Sequence, residues 1–191
     1  MDNNNANCPV DKYLAHVRLF NELTQPCDWV FLGDSITNAG RWSELFTKKV
    51  VCNRGVDGDT VKGMLGRLDS ILNIQPNTVF LLGGINDIAQ NRSPELIMHS
   101  YSELVKVLID EGIKVVLQST ILTNNSEWNR NVIELNKRIK RFASDHNLIF
   151  VDLNSIFSEG GSIKNTATFD GVHLQADMYI FWRDKLIAEA I

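Results

Sequence analysis

The chain predicts a doubly wound α/β domain, one parallel five-stranded sheet with helices on both faces. Three observations lead there. Short, unbroken apolar runs recur along the chain, the pattern of parallel strands covered on both faces. Segments of helical period separate them, as strand–helix alternation requires. Finally, 191 residues with 44% hydrophobic and 22% charged side chains suit a single domain with a substantial core. No internal repeat, linker or low-complexity tract divides it, so residues 1–191 are read as one domain, with 1–10 expected to be flexible.

In order, Asp11 to Leu23 carries Tyr13, Leu14, Val17, Leu19 and Phe20 at helical spacing. Pro26 separates it from strand one, Trp29 to Leu32, which stops on Gly33-Asp34-Ser35. A short helix with Trp42, Leu45 and Phe46 follows, then strand two, Lys49 to Asn53, ending at Arg54-Gly55. Asp59 or Thr60 caps a helix from Val61 to about Leu72. Strand three, Thr78 to Leu82, ends on Gly83-Gly84-Ile85-Asn86-Asp87. Ser93-Pro94-Glu95 starts a helix that runs to Asp110 and stops at Gly112. Strand four is Lys114 to Ser119, and a long helix runs from Glu127 to His146. Strand five, Leu148 to Asp152, is followed by a stretch without clear period, Leu153 to Val172, and a helix from Gln175 to Ala190.

The net charge of −4 argues against nucleic acid or an anionic membrane as the main partner. No apolar run reaches the roughly 20 residues that span a bilayer. Residues 1–7 lack the basic and apolar regions of a signal peptide, which points to a cytoplasmic location; a removed signal would leave the same pattern. Cys8, Cys27 and Cys52 show no CxxC spacing, so reduced thiols are the simplest account, with a Cys8–Cys27 bridge as the alternative. Oligomeric state is left open.

Unusual residues sit at three strand ends: Ser35, Gly55 and Asn86. In the order 2-1-3-4-5, strands two and three flank strand one and these ends converge where ligands bind in open α/β sheets. A serine there would have a glycine N–H on one side and an asparagine amide on the other, the donor types that stabilise an oxyanion. Its base would be His173, and Asp170, three residues earlier, would fix the imidazole tautomer. The other histidines, His16, His99 and His146, fall in helical patterns or at a helix end. Strand five lies about 14 Å from strand one at ~4.8 Å per strand, a distance that the Leu153–Val172 stretch spans easily. A loop of that length is itself more often functional than idle.

These residues resemble the blocks of the SGNH hydrolases, also called the GDSL esterase/lipase family, over nearly the whole chain. Phe31-Leu32-Gly33-Asp34-Ser35 is similar to the first block, and Asn53-Arg54-Gly55-Val56-Asp57-Gly58-Asp59-Thr60 to the second. Gly84-Ile85-Asn86-Asp87 is similar to the third, and Asp170-Gly171-Val172-His173 to the last. The resemblance implies a flavodoxin-like three-layer α/β/α sandwich and a serine esterase needing neither cofactor nor metal. It implies Ser35, His173 and Asp170 as triad, and Ser35, Gly55 and Asn86 as oxyanion donors. Asp34, Asp87 and Leu122 are expected to contact substrate. Ile36 stands where the family's name has leucine. The wording is nearest to platelet-activating-factor acetylhydrolase-like and carbohydrate O-acetylesterase members.

Rival readings are weaker. Strand one does not end on GxGxxG, and the loop from Gly55 to Gly63 lacks GK[ST], so a nucleotide site is disfavoured. A phosphorylated receiver would want an acid after strand three, where Gly83-Gly84 stand. An inactive sugar-binding relative would not need all four site types. Asp57, Asp59, Asp87 and Asp170 could suggest a metal, but separate loops hold them, and solvated loop ends or caps explain the first three better. Trp42 and Trp128 are expected in the core rather than in a pocket. Polar loops after strands one to three favour a short acyl group, acetyl above all, on a sugar-like or other small-molecule alcohol. Ile36, Ile85, Ile88, Ile121 and Leu122 could instead line a groove for the longer chains of a lysophospholipase or thioesterase substrate.

Overall fold

The structure is a computed structural model, and it describes residues 11–191. Helix α1 (Lys12–Glu22) precedes strand β1 (Trp29–Gly33) and two one-turn helices, α2 (Ser35–Asn38) and α3 (Trp42–Leu45). Strand β2 (Val51–Gly55) leads to α4 (Val61–Leu65) and α5 (Asp69–Leu72), and β3 (Thr78–Leu81) to α6 (Ile85–Ala89) and α7 (Pro94–Asp110). Then come β4 (Lys114–Gln118), α8 (Ser126–Asp145), β5 (Ile149–Val151) and α9 (Asn154–Phe157). A small hairpin of β6 (Ser158–Glu159) and β7 (Ser162–Ile163) precedes the last helix, α10 (Met178–Glu189).

The main sheet is parallel in the order β2-β1-β3-β4-β5, the expected one. Its central strands read as apolar runs because both faces are covered: Val30, Phe31 and Leu32 of β1 and Val79, Phe80 and Leu81 of β3 are all buried. Phe31 carries one face. Its ring stacks on Trp42 at 3.9 Å and on Phe80 at 4.7 Å, and Trp182 of α10 meets Trp42 edge-on at 4.9 Å. Helices α4, α7 and α8 pack on one another across the other face. Trp42 is therefore core, as expected, and Trp128 packs partly buried against it.

Three expectations need correction. The helix foreseen from Val61 to Leu72 is two, because the chain breaks so that the Arg67 side chain can turn inward. Its Nε donates to Asp59 Oδ2 at 2.8 Å, and one of its terminal nitrogens to the carbonyls of Arg54 and Gly33 at 2.8 and 3.2 Å. The final helix starts at Met178, since Gln175 is used elsewhere: its N–H bonds Ala167 O at 2.9 Å. Cys27 and Cys52 are joined as a disulfide with Cα atoms 6.0 Å apart, where two reduced thiols were expected. The cause is topological, since β1 and β2 are neighbours and Val30 pairs with Cys52. Cys8 lies outside the described residues.

Candidate active site

Strand β1 delivers Ser35 to the carboxyl edge of the sheet. A side chain at Gly33 would meet Thr37 Oγ1 at 2.1 Å and Leu82 O at 2.8 Å, so only glycine lets α2 fold back so sharply. The helix is a single turn, too short to satisfy itself. Its neighbours supply the missing donors. Tyr179 Oη donates to Ile36 O at 2.6 Å, Trp42 Nε1 to Thr37 O at 2.8 Å, and Asn53 Nδ2 to Asn38 O at 3.0 Å. At the other end, Asp34 Oδ1 accepts from Ile36 N at 3.0 Å. The serine thus sits on a clamped turn.

Ser35 Oγ lies 2.9 Å from His173 Nε2, and His173 Nδ1 lies 2.6 Å from Asp170 Oδ2. Asp170 Oδ1 also accepts the backbone N–H groups of Val172 and His173 at 2.9 and 2.8 Å. Burial acts to raise the Asp170 carboxyl, but the His173 bonds and the Val172 N–H outweigh it and hold the group down at about 2. The turn is itself fixed. Thr168 Oγ1 donates to His173 O at 2.6 Å and accepts from Gly171 N at 2.9 Å. Gly171, at φ +90°, lies so close to Asn124 that a side chain there would meet its amide at 2.1 Å, and Asn124 N bonds Gly171 O at 2.8 Å. The loop after β4 therefore holds the histidine turn.

Asn86 lies in the first turn of α6, and its Nδ2 donates one hydrogen to Asp59 O at 2.9 Å, leaving the second for another acceptor. Gly55 has a different job from the expected one. Its N–H is taken by Asn53 Oδ1 at 2.9 Å, and the space where its side chain would stand is filled by Asn38 N at 2.2 Å. Three residues on, Gly58, at φ +75°, has an unused N–H: among the described residues nothing accepts from it. Its neighbours tie it to both sides of the site, since Asp57 accepts from Asn38 Nδ2 at 2.8 Å and Asp59 O from Asn86. The second glycine before Asp59-Thr60 was visible in the sequence, but which N–H was free depended on the Asn53 side chain.

Asp34 and Asp87 are brought beside the site yet face inward. Asp34 is 0% exposed; burial pushes its carboxyl up to about 7, and Oδ2 has no partner. Asp87 accepts from Val61 N and from Arg92, both at 2.9 Å, which ties α4 to α6. Asp59 and Asp87 were expected as solvated loop ends or caps; neither is solvated, and burial raises both carboxyls, while Asp87 does cap the start of α4 through Val61 N. Leu122 is buried too. It forms one wall of a cavity of about 230 Å³ with Ile133 and Phe150, and its N–H bonds Asn154. Phe169, which the sequence reading passed over, stands exposed beside His173.

The sequence profile of the GDSL-like Lipase/Acylhydrolase family matches residues 31–179. A curated relative, an N-acylneuraminate cytidylyltransferase of Streptococcus agalactiae serotype V, is 26% identical over 161 residues. The match covers 83% of this chain but only 37% of that protein, so the chain spans just over a third of the curated relatives it matches. Among solved structures, a Streptococcus pneumonia protein provisionally assigned as a platelet activating factor superposes with TM-score 0.85 at 23% identity, covering 93% of this chain and 92% of that one. A GDSL-like lipase of Bacteroides thetaiotaomicron gives 0.80 at 22%, covering 92% and 95%. An acetyl xylan esterase, AlAXEase, gives 0.75 at 22%, covering 85% and 99%. These likenesses are of fold. With the profile covering most of the chain, from the strand that carries Ser35 to beyond His173, the protein belongs to the GDSL-like lipase/acylhydrolase family.

Proposed function

We propose that Ser35, His173 and Asp170 form a catalytic triad that removes a short acyl group, acetyl above all, from a sugar or similarly polar alcohol. The observation that carries the triad is the pair of contacts at 2.9 and 2.6 Å that links serine to imidazole to carboxylate. His173 Nε2 takes the Ser35 proton as Oγ attacks the ester carbonyl, and Asp170 holds the Nδ1 proton and steadies the imidazolium. The carbonyl oxygen, now anionic, takes hydrogen bonds from Ser35 N–H, Gly58 N–H and the free hydrogen of Asn86 Nδ2; Gly58 replaces Gly55 in this role. His173 then protonates the departing alcohol. Water, deprotonated by the same histidine, releases the acid and restores the serine.

The short acyl group is supported by burial. Of the side chains that could have lined an apolar groove, Ile36, Ile85, Ile88 and Ile121 are packed inside the core, whereas Leu122 walls a cavity. A long acyl chain would need such a groove. The polar alcohol is supported by the curated relative, whose name gives it an acylneuraminate, a polyhydroxylated sugar, as substrate.

The test is a series of p-nitrophenyl esters from acetate to palmitate with wild type and Ser35→Ala. Activity should be greatest at acetate, and the variant should lose about 10³-fold or more, because triad members act as a unit. A maximum at eight carbons or beyond defeats the short-acyl reading. Retained activity in Ser35→Ala defeats the triad, and no hydrolysis by wild type would favour an inactive sugar-binding relative.

A further inference from the structure

Phe169 is 66% exposed, more than any other large hydrophobic residue among those described. A single exposed phenylalanine on a protein surface needs no explanation by itself. This one has a particular neighbour. Its ring lies near-parallel to the imidazole of His173, 15° between planes and 5.9 Å between centroids. Nor is it at the tip of a free loop. On one side Thr168 is pinned through its hydroxyl to His173 O and Gly171 N, through its carbonyl to Gln175 Nε2, and by a bridge to Leu174. On the other side Asp170 accepts three hydrogen bonds. The chain holds an apolar ring out into water on a turn braced from both sides.

The direction of proton transfer says what that ring would meet. If His173 Nε2 protonates the leaving oxygen, that oxygen must come within hydrogen-bond reach of the imidazole. The acyl carbon and its oxyanion lie toward Ser35, Gly58 and Asn86, so the body of the alcohol extends along the histidine side, where Phe169 stands. An alcohol with an apolar face can lie on this ring. A pyranose offers such a face in its axial C–H groups, whose positive edge suits the negative face of an aromatic ring. We infer that Phe169 is the platform for a ring-bearing leaving group and sets selectivity for the alcohol rather than for the acyl chain. The inference rests on the triad proposed above.

The experiment compares acetate esters that share the acyl group and differ in alcohol: an acetylated methyl pyranoside, benzyl acetate and ethyl acetate. Wild type, Phe169→Ala, Phe169→Trp and Ser35→Ala are assayed for kcat/KM. In Phe169→Ala the ratio of pyranoside to ethyl acetate hydrolysis should fall about five- to tenfold, the scale of one aromatic contact, and Phe169→Trp should restore it. Lengthening the acyl group to butyryl on the same pyranoside should leave that fall unchanged. A fall equal for all three alcohols would mean that Phe169 only supports His173, and an unchanged ratio would mean that substrate never touches it. Either result overturns the inference while hydrolysis still depends on Ser35. Hydrolysis that survives Ser35→Ala overturns the triad itself, and Phe169 with it.

Discussion

Asp34 stands directly before the serine with no exposed surface and one carboxylate oxygen unbonded. Burial is the main reason its carboxyl rises to about 7, with Asp59 and Asp87 nearby adding to the rise and the Ile36 N–H and His173 opposing it. The consequence for stability has a definite sign. Below the ordinary value of 3.8 both folded and unfolded chains hold this proton, and the fold bears no charge there. Between 3.8 and about 7 the unfolded chain releases it while the folded one keeps it, so stability falls as pH rises through that window. Above about 7 the cost is complete, on the order of 4 kcal/mol for a gap of this size. Asp34→Asn keeps an oxygen for Ile36 N and cannot ionise. Its stability relative to wild type should therefore improve between pH 4 and 7 and level off above. Urea unfolding of both proteins at pH 4.5 and pH 8 checks this, and an equal difference at the two values would show that Asp34 is already charged in the fold at pH 4.5.

Among the elements, the Thr168–His173 turn depends on a residue with no chemistry of its own. Gly171 holds a positive φ and leaves room for Asn124, which ties the His173 turn to the loop after β4. Gly171→Ala puts a methyl group where the Asn124 amide lies and strains the backbone as well. Displacing His173 by about 1 Å would cost on the order of 10²-fold in kcat. Circular dichroism should still show a folded protein, and a rate within twofold of wild type would mean that the turn tolerates the shift. The same turn marks the limit of what the sequence displays. Asp170 and His173 could be picked out by type and spacing, because a histidine with an acid three residues before it is chemically distinctive. Asn124 and Thr168 could not, since a polar residue in a loop acquires its role only from what folds against it. The helix expected across Val61–Leu72 breaks for the same reason: a buried ion pair between Arg67 and Asp59, each 1% exposed, overrides local helix preference.

For the whole molecule, sheet order and strand positions were legible because a strand buried on both faces leaves an unbroken apolar run, and alternation with helices leaves little topological choice. The Cys27–Cys52 bond was not, because Cys27 lies before strand one, and the pairing of the strands does not say what a residue outside them will meet. Denatured, unreduced protein should react with a thiol reagent at one cysteine, Cys8, against three after reduction. Closing a loop of 25 residues should add about 3 kcal/mol to unfolding stability, seen as a lower urea midpoint with reductant. Three free thiols without reductant would contradict the pairing. The wide spacing of Ser35 and His173 has a further effect. Ser35 and His173 stand 138 residues apart along the chain. At roughly 5–20 residues per second, a ribosome delivers the histidine about 7–28 s after the serine. On the proposed triad, the growing chain carries over that interval a nucleophile with no base, so an emerging polypeptide would not hydrolyse esters around the ribosome, and activity would begin only when synthesis has passed the last strand.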